Sequence, residues 1–304
     1  MLQVFKNTKF DFIRCQKIAY SASILVILIG VVSVIMHRGF NLSVDFIGGT
    51  TMQMKFEKPF HDDLGKIRDI ISELGFGSPE VKTIGQVVNN ELQVTVGKQA
   101  EGDIVSKSIK NALTEKYPEN SFEVRRVETV GPKIGGELKR DAIVATILSL
   151  IAILIYVGFR FNLPFGVASV IPLFHDVLVT LTVFSLLNLE VSLTFIAALL
   201  TIVGYSLNDT IVIFDRIREN LKNGLKGKSF TDVVNGSINQ TLSRTFITSL
   251  TTLFVSFALY LLGSDAIKDF ALALTVGVVV GTYSSIFIAT SILVAWHNKK
   301  PIVK

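Results

Sequence analysis

The chain has 304 residues, 49% of them hydrophobic, and a mean hydropathy of +0.52. Its formal net charge of +5 needs no nucleic-acid partner, because much of the Lys and Arg excess lies in short loops, as membrane topology requires. The single cysteine, Cys15, excludes an internal disulfide and a cysteine-based metal centre within one chain. No pair of histidines has metal-ligand spacing, so we expect neither a metal nor another cofactor. Together with long apolar runs, these values predict a polytopic membrane protein.

The first predicted membrane helix covers residues 18–36 and follows a basic, cytoplasmic segment, residues 1–17. A basic start followed by an apolar run also describes a secretory signal. However, this run is long enough to span a bilayer, and no small-x-small cleavage pattern follows it. We therefore expect an uncleaved first membrane helix.

A segment of domain size, residues 37–137, follows outside the membrane. Its periodicity predicts strands at 50–56, 81–88, 92–96 and 122–130 and helices at 60–74 and 104–117. Gly75 and Gly77 are expected to end the first of these helices, and Asn89-Asn90 to form a hairpin turn. The order β-α-β-β-α-β predicts an α+β ferredoxin-like domain. Its nearly balanced charges favour a protein or substrate partner and argue against nucleic acid.

Five more apolar runs complete a predicted six-helix membrane bundle, an all-α architecture. They are residues 143–159, 163–187, 193–214, 245–262 and 270–296. Lys and Arg concentrate in the N-terminal segment, after the second and fourth membrane helices and in the C-terminal residues 297–304. The positive-inside rule predicts that both termini are cytoplasmic and that the inserted domain lies on the opposite side of the membrane.

The cytoplasmic segment 215–243 carries apolar residues at helical spacing, including Ile217, Phe230, Val234 and Ile238. We expect a cytoplasmic amphipathic loop containing one or two helices. Contact with lipid headgroups is the favoured interpretation. A docking surface for a cytoplasmic partner is the alternative.

Asp209 is the first candidate for chemistry, because it falls roughly 8 Å inside the predicted fourth membrane helix. Arg244 starts the fifth membrane helix, so the two side chains can lie at similar depth. A structural ion pair, or an arginine extended to lipid phosphates, is one interpretation. The other is a proton site. For Asp209 we favour the proton site, because acids in membrane helices are rare and usually functional; for Arg244 both remain open.

Other polar residues continue the faces that carry this pair. In the fourth helix they are Thr201, Tyr205 and Asn208, with the small residue Gly204, and in the fifth they are Thr248, Thr251 and Thr252. A second candidate lies in the third helix, where His175 and Asp176 form either a relay or a structural bond to the Thr-rich fifth helix. Gly277 and Gly281 form a GxxxG pattern, which favours helix packing over chemistry.

The segment GYSLNDTIVIFDRIREN, residues 204–220, together with SRTFITSLTT, residues 243–252, closely resembles the SecF proteins of the bacterial SecD/SecF family, within the RND superfamily. Further matches are VDFIGGT, which contains Asp45, Gly48 and Gly49, VGPKIGGEL at residues 130–138, and FHDV at residues 174–177. The block LND–DRIREN, with Asp215 and Arg216, is the specific one. The resemblance covers essentially the whole chain.

The resemblance implies half of a twelve-helix RND-type body, completed by SecD, in the bacterial inner membrane. It also implies association with the SecYEG channel and with YajC, action on a translocating preprotein, and use of the proton motive force late in protein export. The proton-pathway positions of the family fall on Asp209 and Arg244.

Three alternatives remain at this stage. An intramembrane aspartyl protease would use Asp176 and Asp209, but the YD and GxGD motifs of such proteases are missing, and the two acids lie at different predicted depths. An RND-type exporter of small molecules or lipids would usually carry both halves of its body in one chain. A passive assembly factor would have no proton chemistry. We therefore do not expect an enzyme.

Overall fold

A computed structural model describes residues 5, 8–60, 63–76, 79–84, 90–97, 102–222, 224–225 and 227–302. The chain divides into two compact units. Leu42–Val144 form one unit, and Met1–Asn41 with Ala145–Lys304 form the other. Each unit is described separately below.

The unit Leu42–Val144 contains a four-stranded antiparallel sheet of order β2-β3-β1-β4. Its elements are α2 (Val44–Ile47), β1 (Gly49–Phe56), α3 (Leu64–Ser72), β2 (Glu80–Ile84), β3 (Glu91–Val96), α4 (Gly102–Lys116) and β4 (Phe122–Val130). Residues 85–88 of the second predicted strand, Asn89 and Gly77 lie outside the described residues. Gly75 follows α3 with φ of +76°, the conformation expected after a helix end.

Both longer helices of this unit bury their apolar sides against the sheet. Met52, Met54 and Phe56 alternate along β1 and are at most 1% exposed, so one face of the strand is fully covered. They share a core with Ile67 of α3 and Ile109 of α4, neither of which is exposed. This packing explains the alternating apolar pattern seen in the sequence.

The Gly48-Gly49 pair makes a sharp turn between α2 and β1. Both glycines have positive φ, +70° and +137°, which side chains disfavour. A Cβ on Gly49 would also lie 2.5 Å from the backbone oxygen of Val96 in β3. The glycine motif is therefore explained by backbone geometry at the start of the sheet.

The other unit is helical. Its helices are α1 (Gln16–Met36), α6 (Leu163–Leu186), α7 (Leu193–Leu221), α8 (Phe230–Leu262), α9 (Asp265–Ser284) and α10 (Thr290–Lys299), with a π-helical segment at Ser285–Ala289. The boundary between the units falls inside one further helix, α5 (Pro132–Arg160), which belongs to the helical unit from Ala145 onward. By length and composition, six helices in the described chain are able to cross a membrane, the last formed by α9, the π-helical segment and α10.

The segment predicted as an amphipathic loop, residues 215–243, is mostly a continuation of the membrane helices. α7 extends to Leu221 and α8 begins at Phe230. No Gly or Pro interrupts residues 215–221, and Ser229 forms a capping box with Asp232 at the start of α8. The apolar side chains of this segment, such as Ile217 and Val234, are buried in the core of the unit.

Small residues set the distance between the central helices. A Cβ on Gly277 of α9 would lie 2.3 Å from Ile202 of α7, and one on Gly281 would lie 3.0 Å from Cβ of Ser206. The GxxxG pattern therefore allows α7 and α9 to pack closely. This close approach brings the polar residues of α7 and α9 together.

An N-terminal segment, residues 8–13, runs beside the first turns of α8. Asn239 accepts from the Phe10 amide at 3.0 Å and donates to the Phe10 carbonyl at 2.9 Å. One turn earlier, Asn235 accepts from the Phe12 amide at 3.0 Å and donates to Asp11 at 2.8 Å. Side chains four residues apart on α8 thus hold the backbone of the segment before α1.

Candidate functional site

Two buried carboxylates lie within the membrane-spanning helices, and each belongs to its own polar network. Asp209 of α7 is 2% exposed. It accepts a hydrogen bond from Ser249 of α8, with 3.3 Å between Ser249 Oγ and Asp209 Oδ2. Thr282 of α9 in turn lies 2.6 Å from Ser249 Oγ. The Asp209 network therefore joins α7, α8 and α9.

Arg244 interacts with this network only through its charge. Its positive charge acts on the Asp209 carboxylate, yet no ion pair within 4 Å joins these two residues, both of which the structure describes. Arg244 itself is exposed. The arrangement is a buried acid with a nearby exposed cation, so a small shift of α8 along α7 would change their separation and their interaction.

Several buried hydroxyl groups lie close to Asp209 or Arg244 along α7 and α8. Among the described residues, Tyr205 Oη, Thr210 Oγ1 and Thr245 Oγ1 are buried and make no hydrogen bond. Tyr205 is one turn before Asp209, Thr210 follows it, and Thr245 follows Arg244. Because buried polar groups are rarely left unpaired, this region suits water or groups supplied by another protein.

Asp176 of α6 is the centre of the second network and is fully buried. Its Oδ2 accepts from Ser206 of α7 at 2.5 Å and from Ser284 of α9 at 2.8 Å. Its Oδ1 lies 2.9 Å from Nδ1 of His175. His175 Nε2 lies 3.0 Å from Ser23 of α1. These bonds go to α7, α9 and α1, and not to the Thr-rich α8 that the sequence suggested.

Several of the other predicted residues lie on the outer surface of the helical unit. Asn208, Thr201 and Gly204 of α7 are exposed, as is Thr251 of α8. Thr248 donates to backbone carbonyls of its own helix, those of Arg244 and Thr245. None of these residues contributes a side-chain hydrogen bond to Asp209.

Charged residues cluster at the end of α7. Asp215 pairs with Arg160, the last residue of α5, and with Arg218 at 3.6 Å. Arg216 pairs with Glu219 at 2.9 Å. Asp45 lies in the short α2 ahead of the glycine turn. The acidic and basic residues of the DRIREN block therefore fix the end of α7, some distance along the helix from Asp209.

Sequence reasoning missed the serines that bind both carboxylates. Ser249, Ser206 and Ser284 are single small polar residues in apolar helices, and nothing in their local sequence distinguishes them from packing residues. Ser206 is three residues before Asp209 and therefore on the same side of α7. This shared side of α7 is the sequence signal from which Ser206 could have been predicted to face the interior of the helical unit.

In the part of the chain that the structure describes, six helices long and apolar enough to cross a membrane, together with a small antiparallel sheet, define a multi-pass membrane protein with a domain outside its helical bundle. The family model "Protein export membrane protein SecD/SecF, C-terminal" matches residues 108–299, and the "SecD/SecF GG Motif" matches residues 33–60. The chain therefore belongs to the SecD/SecF family of protein export membrane proteins.

Curated relatives agree over nearly the whole length. The chain is similar to "Protein translocase subunit SecF" of Calditerrivibrio nitroreducens, with 43% identity over 96% of each chain. The SecF of Vibrio alginolyticus is 43% identical over 96% of this chain and 91% of its own. The crystal structure of SecDF from a Thermus species, described as translocon-associated, aligns with a TM-score of 0.85 and 41% identity. The alignment covers 96% of this chain and 39% of the SecDF chain.

Proposed function

We propose that this chain is a SecF subunit that works with SecD to use the proton motive force in late steps of protein export. In this proposal it is a multi-pass protein of the bacterial inner membrane with both termini in the cytoplasm. It acts next to the SecYEG channel and YajC on a translocating preprotein. The proton is the coupling ion, with no further cofactor and no enzymatic reaction.

The observation that carries the proposal is the position of Asp209. A carboxylate that is 2% exposed within a membrane-spanning helix is costly to keep, and such residues usually serve ion or proton movement. Its hydrogen bond from Ser249 and the charge of Arg244 come from α8. A change in protonation at Asp209 would therefore alter the attraction between α7 and α8, which gives proton binding a mechanical consequence.

SecD is proposed as the partner because the exposed face of α7 and α8 is too polar for lipid. Asn208, Thr201 and Thr251 would each face hydrocarbon in an isolated chain, whereas polar residues in membrane helices normally face protein or water. The Thermus SecDF chain is much longer than this one, which spans 39% of it. We expect SecD, as the counterpart of the rest of the SecDF chain, to cover this face of α7 and α8.

The sheet unit is proposed to be a ferredoxin-like periplasmic domain. The order of its elements and the antiparallel arrangement β2-β3-β1-β4 support that assignment. Moving one charge through 100 mV is worth about 2.3 kcal/mol. Proton flow is therefore an adequate energy source for moving such a domain without ATP.

The test is Asp209→Asn in inverted membrane vesicles or proteoliposomes that contain the SecYEG channel and SecD. The amide keeps the size of the side chain but cannot titrate. Late-stage export should fall to the level seen with a protonophore, and the protonophore should then have little further effect. Asp141→Asn, an acid-to-amide change at an exposed position of α5, is the matched control and should export normally.

Normal, protonophore-sensitive export by Asp209→Asn would overturn proton coupling through this residue and would favour a passive assembly role. Membrane levels of each variant should be measured in parallel, so that loss of protein is not mistaken for loss of coupling.

A further inference from the structure

The hydrogen bonds that extend from Asp176 through His175 reach α1 and end on a backbone carbonyl. Tyr283 Oη lies 2.8 Å from the carbonyl oxygen of Ala19 and 3.1 Å from Ser23 Oγ. Ser23 Oγ lies 3.0 Å from His175 Nε2. A carbonyl oxygen can accept a hydrogen bond but cannot donate one. The bond to the Ala19 carbonyl therefore determines which atom donates in each of the other hydrogen bonds of this series.

The hydrogen positions follow one by one. The single hydroxyl hydrogen of Tyr283 is used for Ala19, so Tyr283 can only accept from Ser23. The hydrogen of Ser23 is then used for Tyr283, so Ser23 can only accept from His175. His175 Nε2 must therefore carry a hydrogen and donate it to Ser23.

The other ring nitrogen then requires a second hydrogen. His175 Nδ1 and Asp176 Oδ1 are 2.9 Å apart, a separation at which one hydrogen must lie between them, since two lone pairs would repel. Asp176 Oδ2 is already occupied by the hydroxyls of Ser206 and Ser284. With Nε2 protonated, the pair holds one proton more than a carboxylate beside a neutral imidazole.

We propose that His175 and Asp176 form a second intramembrane proton-binding site, with one dissociable proton between His175 Nδ1 and Asp176 Oδ1. On release, the N–H or O–H bond breaks, the electron pair stays on the residue, and the proton passes to water. The remaining carboxylate and neutral Nε2–H imidazole would then present two lone pairs to each other. The contact between His175 Nδ1 and Asp176 Oδ1 must therefore open, whereas Nε2–H can still donate to Ser23 of α1.

This site is separate from the one in the proposed function and does not rest on it. The titratable groups along the helices packed against the pair include Tyr20 of α1, Tyr205 and Asp209 of α7, Tyr283 of α9 and His297 of α10; the other charged residues of these helices, such as Lys17, Asp215 and Lys268, lie toward the helix ends. Tyr283 is joined to the pair through Ser23, Asp209 binds Ser249 of α8, and His297 stacks on Phe230 with 3.9 Å between ring centres.

The test is ¹⁵N solid-state NMR of the full chain in lipid bilayers at neutral pH, with all histidines labelled. The chain has four histidines, and His175 is assigned by the signals lost in His175→Gln. We expect His175 Nε2 to be protonated and a second proton to be bonded to Nδ1 or shared with Asp176. A neutral ring with the hydrogen on Nδ1 and a bare Nε2 would overturn the proposal, because the pair would then hold no additional proton.

Tyr283→Phe tests whether the hydrogen bonds between Ala19 and His175 set the protonation of His175 Nε2, and it leaves the Asp176 carboxylate in place. Without the tyrosine hydroxyl, the hydrogen of Ser23 is free to turn toward His175, so Nε2 should lose its proton at the same pH. Tyr156→Phe, a matched change at an exposed tyrosine of α5, should leave the His175 spectrum unchanged. If Nε2 stays protonated in Tyr283→Phe, the hydrogen-bond chain does not set the protonation and the proposal fails.

Discussion

Ser249 of α8, and not Arg244, is the direct partner of Asp209, with 3.3 Å between the serine hydroxyl and the carboxylate. A neutral donor stabilises the carboxylate while leaving it free of a fixed ion pair. An acid held in this way can exchange a proton without first breaking a salt bridge. The arginine, which is exposed, remains free to approach or withdraw.

Ser249→Ala should therefore impair proton-driven export several-fold. A hydrogen bond to a charged group contributes about 1.5–3 kcal/mol, and its loss leaves the buried carboxylate without that donor. Ser249→Thr keeps the hydroxyl and should retain most activity. Ser256→Ala is the matched control, because Ser256 is a buried serine of the same helix whose partner is Thr275. Equal defects in Ser249→Ala and Ser256→Ala would indicate a packing effect only.

Gly277 should resist substitution because α7 and α9 are in close contact. In Gly277→Ala the new Cβ would lie 2.3 Å from Ile202, which is itself 1% exposed. Overpacking of this kind costs about 1–3 kcal/mol, so the purified chain should unfold at a lower temperature. The control Gly236→Ala adds a Cβ to α8 where no atom lies within 4 Å. It should be neutral or slightly stabilising; equal stability of both variants would contradict the observed packing.

Tyr117 should titrate at unusually high pH. Burial, and then its hydrogen bond to Asp63 at 2.5 Å, raise the pKa of Tyr117 above its ordinary value. Because the folded-state pKa is the higher one, the stabilisation is present below about pH 10 and is lost as pH rises through the raised value. The tyrosinate absorbance difference between the natural chain and Tyr117→Phe measures this. Asp63→Asn should lower the titration midpoint of Tyr117 only in part, because the side chain remains buried. A Tyr117 midpoint near the ordinary value in the natural chain would contradict both the burial and the hydrogen bond to Asp63.

The sequence was sufficient for features that depend on local pattern. Apolar runs predicted six membrane helices, and alternation along residues 50–56 predicted β1. Contacts that depend on helix rotation could not be predicted: a bond to α8 was one of two interpretations left open for Asp176, and its observed partners are Ser206 of α7 and Ser284 of α9. Likewise, the sequence singled out Thr248 and missed Ser249. One residue along a helix is a rotation of about 100°, and of these two only Ser249 donates to Asp209.

The N-terminal segment beside α8 should loosen when Asn239 is changed. Asn239→Ala removes two hydrogen bonds to Phe10, one to its amide and one to its carbonyl. At about 1 kcal/mol each, their loss should speed hydrogen exchange of the Phe10 amide roughly tenfold or more. The Phe12 amide, which Asn235 holds, is an internal reference and should change less. Gln240→Ala alters a neighbour that binds Asn220 and should leave Phe10 exchange as it was. Equal exchange in all three proteins would show that the segment is held by other contacts.

Gly204→Leu should separate assembly with SecD from folding of this chain. Gly204 lies on the exposed polar face of α7, one turn from Asn208, and a Cβ added there would have no atom of this chain within 4 Å. A leucine there has room in the isolated chain and a better helix propensity than glycine, so the thermal stability of the purified chain should be unchanged or higher. A partner helix packed against the face would instead be pushed away, since glycine in membrane helices usually permits close approach. Copurification with SecD should then fall sharply. Ala152→Leu also introduces a leucine, on the exposed side of α5, and should copurify normally. If both variants retain SecD equally, the partner does not bind at this face of α7.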